Sequence, residues 1–399
     1  MRKLLALVAF AALTLSAAPK YAPEAAGLDP VALAKIGVTM EQKISQDRTV
    51  GALGMIYRHG KVVYLDSWGH RDRESNLPMT ADSIVRMYSM SKPITTVGIM
   101  MLIEEGKLSL DDPVSKYIPQ FAALEVLVDG KRIPSKRSMT IKHLLTHTSG
   151  LTYGFFADHP VDKLYREAET HKTKDLAELV NVLGRLPLKY QPGERWNYSY
   201  STDVLGRVIE VVTRVPLDEY LEYWVFKPLK MKDTGFSIRK KSHAQIAKIY
   251  TPDKNDSLVF ATDELVASGG RRVRNFREPT TFFSGGGGLA ASANDYIRFA
   301  EIFLNGGGGL ITQSTIDLMM QNHQPQPTPK FGLGMGINDA PDGKSKIYGW
   351  GGAAGTRFWV DPDRDMVTVF ETQLYPGGGT RKSELQKEFL KLVYDSLTD

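Results

Sequence analysis

With 399 residues, 42% apolar and 24% charged, the chain is long enough to bury a sizeable core in one large or two intertwined domains. It contains no cysteine, which excludes a disulfide framework, a thiolate metal site, a cysteine nucleophile and a lipid-anchored N-terminal cysteine. The net charge of +5 is scattered, and the one dense basic run, Arg271-Arg272-Val273-Arg274-Asn275-Phe276-Arg277, has no reader-helix or aromatic-stacking pattern beside it, so it reads as a solvated loop and no nucleic-acid partner is expected.

Met1-Arg2-Lys3, the apolar run Leu4 to Leu15 and Ser16-Ala17-Ala18 predict a secretory signal over residues 1–18, too short to span a membrane. A periplasmic or secreted protein without a stable membrane anchor is therefore expected; a buried N-terminal helix is the alternative for the same run. Leu33, Ile36, Met40 and Ile44 recur at helical spacing and predict a helix from Asp29 to about Ser45, capped by Asp29-Pro30. Gly51 to Tyr57, a turn at His59-Gly60 and Lys61 to Leu65 then predict a β-hairpin.

The stretch Val85 to Leu102 carries the chemistry. Ile94, Val97, Met101 and Leu102 have helical spacing and Pro93 suits a first turn, so a helix is predicted to start near Ser89. Residues three apart share a helix face, so the Lys92 amine can lie beside the Ser89 hydroxyl while free N–H groups of the first turn point where an oxyanion would form. A serine becomes a useful nucleophile when a neighbouring base takes its proton, and a lysine acts as that base only where burial disfavours its charge. The other reading of these letters is a buried helix start whose lysine snorkels to water. Ser237-Ile238-Arg239-Lys240 has the same spacing, but it lies in a basic run with no apolar helix behind it and is set aside.

Turn residues from Gly106 to Pro113 end that helix, and further helices are predicted from Thr140 to Gly150, Asp175 to Leu186 and Ser201 to Val212. His143 and His147 are four apart, but the Glu of His-Glu-x-x-His is replaced by Leu144 and no third ligand is evident, so no metal is expected. The runs Gly285 to Gly288 and Gly306 to Gly309 bracket a helix carrying Tyr296, Phe299, Ala300 and Phe303; the first run lacks the phosphate-loop pattern and reads as close backbone packing. Strands are predicted at Lys346 to Gly352, Thr356 to Asp361 and Met366 to Thr372, with a closing helix from Ser383 to Leu397. Strands at both ends with helices between them imply an α/β (α+β) architecture: an antiparallel sheet domain from 19–86 plus 285–399, and an inserted, mainly helical lobe over 87–284.

Two further stretches can complete a site. Tyr198 lies on a loop just before a helix, where a phenol can either shuttle a proton or simply pack. Trp350-Gly351-Gly352-Ala353 lies on a strand whose small residues let a ligand approach the backbone, and a second oxyanion N–H could come from there. Tyr153, Phe155, Phe156, Trp196, Phe282 and Phe283 fall on loops around it, as pocket wall or as core packing. A Gly-x-Ser-x-Gly elbow is absent, which leaves Ser89 without a rival nucleophile motif.

Ser89-x-x-Lys92, His147-Thr148-Ser149-Gly150-Leu151, Pro192-Gly193-x-x-Trp196-x-Tyr198-Ser199, Pro228-Leu229-x-Met231-x-Asp233-Thr234-Gly235-Phe236 and Trp350-Gly351-Gly352 together resemble the serine β-lactamase-related hydrolases, most closely the family VIII carboxylesterases. The resemblance runs from about Leu28 to the C-terminus and implies the penicillin-binding-protein fold and a small-molecule ester substrate, with no cofactor. It further implies Ser89 as nucleophile, Lys92 and Tyr198 as the base system, and the N–H groups of Ser89 and Ala353 as oxyanion hole. Two positions depart from the class C β-lactamases: Tyr200 replaces an asparagine, and Trp350-Gly351-Gly352 replaces Lys-Thr-Gly. Losing that lysine favours a neutral ester over an anionic β-lactam, since one charge-assisted contact contributes about 1.5 to 3 kcal/mol. Arg357 restores positive charge if it points inward. A β-lactamase, a D-alanyl peptidase, an acyltransferase and a non-catalytic cell-wall-binding module are the other readings.

Overall fold

A computed structural model describes residues 22–155, 158–262, 275–375 and 379–398. The expected signal over 1–18, residues 271–274 of the basic run and Phe156 lie outside the described residues. Seven strands form one sheet in the order Gly336–Asp339, Lys346–Gly351, Arg357–Asp361, Met366–Thr372, Gly51–Arg58, Lys61–Asp72 and Leu77–Pro78. Every neighbouring pair is antiparallel. The two chain ends meet at the middle of this sheet, where Ala52 lies opposite Thr372 and Arg58 opposite Met366. The expected sheet built from both termini is therefore the one observed.

Side-chain alternation along the central strand explains how the sheet holds its two layers together. Leu53, Met55 and Tyr57 face a core shared with the middle of the chain, while Ala52 and Ile56 face a second core under the terminal helices Pro30–Ser45 and Gly379–Asp395. Both faces are covered, and Gly51–Arg58 and Met366–Thr372 are buried at every position. In the middle of the chain, the helix Ser91–Glu104 is buried continuously from Ser91 to Leu102, because its sequence there, Lys92 apart, is apolar or small on all sides. It packs against the helix Ser201–Thr213. Among the described residues no helix is long and apolar enough to cross a membrane.

Three local differences from the sequence expectations have physical causes. Ser89 sits in a 3-10 turn, Tyr88–Met90, ahead of the α-helix; Tyr88 has φ 45° and Met90 N–H bonds to Met87 O at 3.1 Å, so the chain tightens before the regular helix begins. The helix expected from Thr140 covers only Ile141–Leu145: the Thr146 hydroxyl donates back to Lys142 O at 2.8 Å, and His147 turns to φ 53°. The strand Gly336–Asp339, with one β-branched residue, carries little strand signal of its own and is made by pairing with Lys346–Gly351.

Candidate active site

The tight turn before the Ser91–Glu104 helix sets the half-buried Ser89 at the helix entrance, and one turn on it brings Lys92 Nζ to 3.3 Å from Ser89 Oγ. Lys92 itself is 1% exposed. Its amine also donates to Gly286 O at 2.5 Å, and it lies over two phenol rings, 4.6 Å from the Tyr198 centroid and 5.3 Å from that of Tyr153. Among the described residues no carboxylate lies within ion-pair distance of it. The partners of this buried amine are thus neutral oxygens and ring faces.

Tyr198 arrives from a segment more than a hundred residues away, on the loop that leads into the Ser201–Thr213 helix, and its Oη is 2.6 Å from Ser89 Oγ. Aromatic packing fixes that phenol. His147 lies 4.9 Å from its ring centroid, Tyr153 5.3 Å, Trp350 5.6 Å and Trp196 6.0 Å, and Trp350 Nε1 donates to Tyr198 Oη at 3.3 Å. The His147 imidazole is pushed well below its ordinary pKa by burial first and by the positive charge of Lys92 second. It is therefore a neutral packing partner, with Nδ1 3.4 Å from Ser199 Oγ.

The strand Lys346–Gly351 closes the site from the sheet side. A Cβ at Gly352 would fall 2.2 Å from both Met87 O and Thr356 Oγ1, so only glycine lets the strand end come this close to the Ser89 turn. Ala353 and Tyr88 then pack on the same small cluster of Ile249, Ala261, Ala354 and Tyr375. Ser89, Lys92, Tyr198, Trp350, Gly351, Gly352 and Ala353 are in this way brought to one place by three distant segments. Arg357 does not join them. Its strand register puts it opposite Gly351, on the sheet face away from Trp350 and Phe358.

One group of the site was given no role from the sequence. Asp203, buried in the first turn of its helix, accepts from Ser284 Oγ at 2.5 Å, Gly286 N–H at 3.1 Å and Tyr153 Oη at 3.3 Å. It thereby holds the loop whose Gly286 carbonyl receives the Lys92 amine. A Cβ at Gly286 would fall 2.5 Å from Asp203 Oδ2 and 2.7 Å from Tyr153 Oη, so the glycine run was the signal for this contact. Burial and the Asp203 charge push the Tyr153 phenol well above its ordinary pKa, which keeps it a neutral donor. Phe155 stacks on Tyr153 at 5.0 Å, while Phe282 and Phe283 pack against the main core. Among the described residues no group of three or more His, Asp or Glu is placed to hold a metal.

A large antiparallel sheet carrying an inserted helical region, with a serine, a lysine and a tyrosine meeting between them, is the arrangement of the penicillin-binding-protein fold. The chain matches the family described as Beta-lactamase over residues 38–391, and it belongs to that family. It is 32% identical over 364 residues to Esterase EstB of Burkholderia gladioli, covering 85% of this chain and 90% of that protein. Among solved structures, EstCE1, a hydrolase with promiscuous acyltransferase activity, is similar at a TM-score of 0.76 and 30% identity, covering 91% of this chain and 99% of that one. An octameric penicillin-binding protein homologue from Pyrococcus abyssi shares the fold at a TM-score of 0.70 and 23% identity, covering 92% and 79%. Within the serine β-lactamase-related hydrolases, the chain is thus similar to the esterase branch that its motifs resemble.

Proposed function

We propose that this protein is an exported serine carboxylesterase that works through an acyl-enzyme. The observation that carries the reading is the convergence on Ser89 Oγ of Tyr198 Oη at 2.6 Å and Lys92 Nζ at 3.3 Å. Ser89 attacks the ester carbonyl as Lys92 and Tyr198 accept its proton, and the carbonyl oxygen is held by the N–H groups of Ser89 and Ala353. Tyr198 returns the proton to the leaving alcohol, and water repeats the cycle to free the acid. Trp350, in place of a lysine, gives the site an apolar wall that favours short neutral acyl esters over anionic β-lactams. Export rests on the basic start, apolar run and small residues of 1–18.

Turnover of p-nitrophenyl acetate and butyrate by wild type and Ser89→Ala tests the assignment. The substitution is expected to lower kcat about 10³-fold or more, and hydrolysis surviving at near wild-type rate removes Ser89 from the mechanism. Because EstCE1 is described as having acyltransferase activity, a second reading is transfer of the acyl group to an alcohol. Product analysis with an added alcohol acceptor separates transfer from hydrolysis.

A further inference from the structure

A cavity of about 420 Å³ opens beside the nucleophile turn, with Tyr88, Phe282, Ser284 and Gly287 on its wall. Tyr88 precedes Ser89 in the chain, and Gly287 follows Gly286, whose carbonyl receives the Lys92 amine. These four wall residues are half-buried, whereas Asn275 and Glu278, also on the wall, are exposed, so the cavity runs from the turn that carries Ser89 out to solvent. The Ser284 hydroxyl is turned to Asp203 Oδ1 at 2.5 Å, which leaves ring faces and glycine backbone as the inner surface.

Three of the glycines from Gly285 to Gly288 are required by packing. A Cβ would fall 2.8 Å from Thr202 O at Gly285, 2.5 Å from Asp203 Oδ2 at Gly286 and 2.8 Å from Ser284 O at Gly288. Gly287 is different. Its φ lies outside the left-handed region, and a Cβ there meets nothing nearer than Tyr88 C at 3.7 Å, an ordinary contact. Neither the backbone nor the packing asks for glycine at 287. What its missing side chain does is leave the cavity open where it borders the Tyr88–Ser89 peptide.

We propose that this cavity holds the acyl chain of the ester, that the chain is a neutral alkyl group longer than acetyl, and that Gly287 sets how much of it fits. The inference rests on the acyl-enzyme reading of Ser89. The carbon that Ser89 attacks carries a carbonyl oxygen, a leaving alcohol oxygen and the acyl chain. The first is directed to the N–H groups of Ser89 and Ala353, and the second to Tyr198, which gives it a proton. The Tyr198 side is filled by the rings of His147, Tyr153, Trp196 and Trp350, none of which lines this cavity, so the acyl chain is the group that enters it. Its volume falls in the range of small-ligand pockets, about 300 to 1,000 Å³.

Values of kcat/KM for p-nitrophenyl acetate, butyrate and hexanoate, measured on the full-length wild type and Gly287→Val, read the proposal. Wild type is expected to gain about fourfold per added methylene group. Gly287→Val is expected to lower the hexanoate-to-acetate ratio about tenfold or more, because its methyl groups occupy the inner end of the cavity. Gly287→Ala, whose methyl group clears Tyr88 by 3.7 Å, is expected to lower the same ratio about twofold to fourfold, a check that holds should Gly287→Val fold poorly. Ethyl, butyl and hexyl acetate vary the alcohol at constant acyl group, and their relative rates are expected to be the same in wild type and Gly287→Val. A wild-type series that does not rise with acyl length, a ratio unchanged in both variants, or a shift in the alcohol series instead overturns the proposal. Acetate turnover insensitive to Ser89→Ala fails the esterase reading and this inference with it, whereas Ser89-dependent turnover with an unchanged ratio overturns the inference alone.

Discussion

Lys92 and Lys189 are both buried, yet their surroundings are opposite. Lys189 Nζ is 2.6 Å from Asp162 Oδ2, and the other carboxylate oxygen accepts from Thr152 Oγ1 at 2.6 Å, so charge meets charge inside a closed polar network. Lys92 is as well covered but meets a serine hydroxyl, one backbone carbonyl and two ring faces. A carboxylate neighbour ties a lysine into an ion pair, whereas here the neighbours of the Lys92 amine are a hydroxyl, a carbonyl and ring faces, with the serine within its reach. The first arrangement anchors structure and the second suits a base, which is why burial by itself says little about what a lysine does.

Exchanging the two lysines for methionine separates these roles. Lys92→Met is expected to lower ester turnover about 10²- to 10⁴-fold, the usual share of a positioned base. Lys189→Met leaves the Asp162 carboxylate buried without its cation and is expected to cost about 3 to 5 kcal/mol of stability, while the folded fraction keeps most of its turnover. Kinetics on p-nitrophenyl butyrate and urea denaturation measure both. Equal losses of turnover in the two variants, with stability unchanged in each, would erase the distinction.

A buried carboxyl extends the comparison to the acids. Glu371 lies in the Met366–Thr372 strand opposite Leu53, fully buried, and neither carboxylate oxygen has a partner among the described residues. Burial alone pushes its pKa well above the ordinary glutamate value, whereas Asp162 has Lys189. The sign follows: at acid pH both folded and unfolded chains hold the proton, and once pH passes the unfolded value near 4.3 the unfolded chain releases it while the folded one does not. This group's contribution to stability therefore falls with rising pH, by up to about 1.4 kcal/mol per pH unit, until the folded carboxyl titrates. Glu371→Gln is expected to match wild type near pH 4 and to gain on it between pH 5 and 7 in urea denaturation. A difference constant across that range would mean that Glu371 has found a partner.

Much of this was legible in the sequence because it is local. Helical spacing from Ile94 to Leu102 placed Ser89 and Lys92 on one face, and turn residues marked the strands that end at Asp361 and Thr372. What escaped depends on segments meeting in space. Nothing local to Asp203 marks its role, which comes from Ser284 and Gly286, some eighty residues on. The course of Arg357 followed from strand register, because its direction is set by the residue opposite, Gly351. Gly336–Asp339 was missed for the same reason, being a strand only by virtue of its partner.

The smallest expected effect concerns how Tyr198 is held. Trp350 contributes ring contact at 5.6 Å and an indole N–H to Tyr198 Oη at 3.3 Å, and a phenylalanine keeps most of the first while losing the second. A neutral hydrogen bond is worth about 0.5 to 1.5 kcal/mol, so Trp350→Phe is expected to lower kcat on p-nitrophenyl butyrate about twofold to tenfold with little change in KM. The split matters because the indole is argued to act through the phenol: a packing defect alone would weaken substrate binding and leave kcat in place.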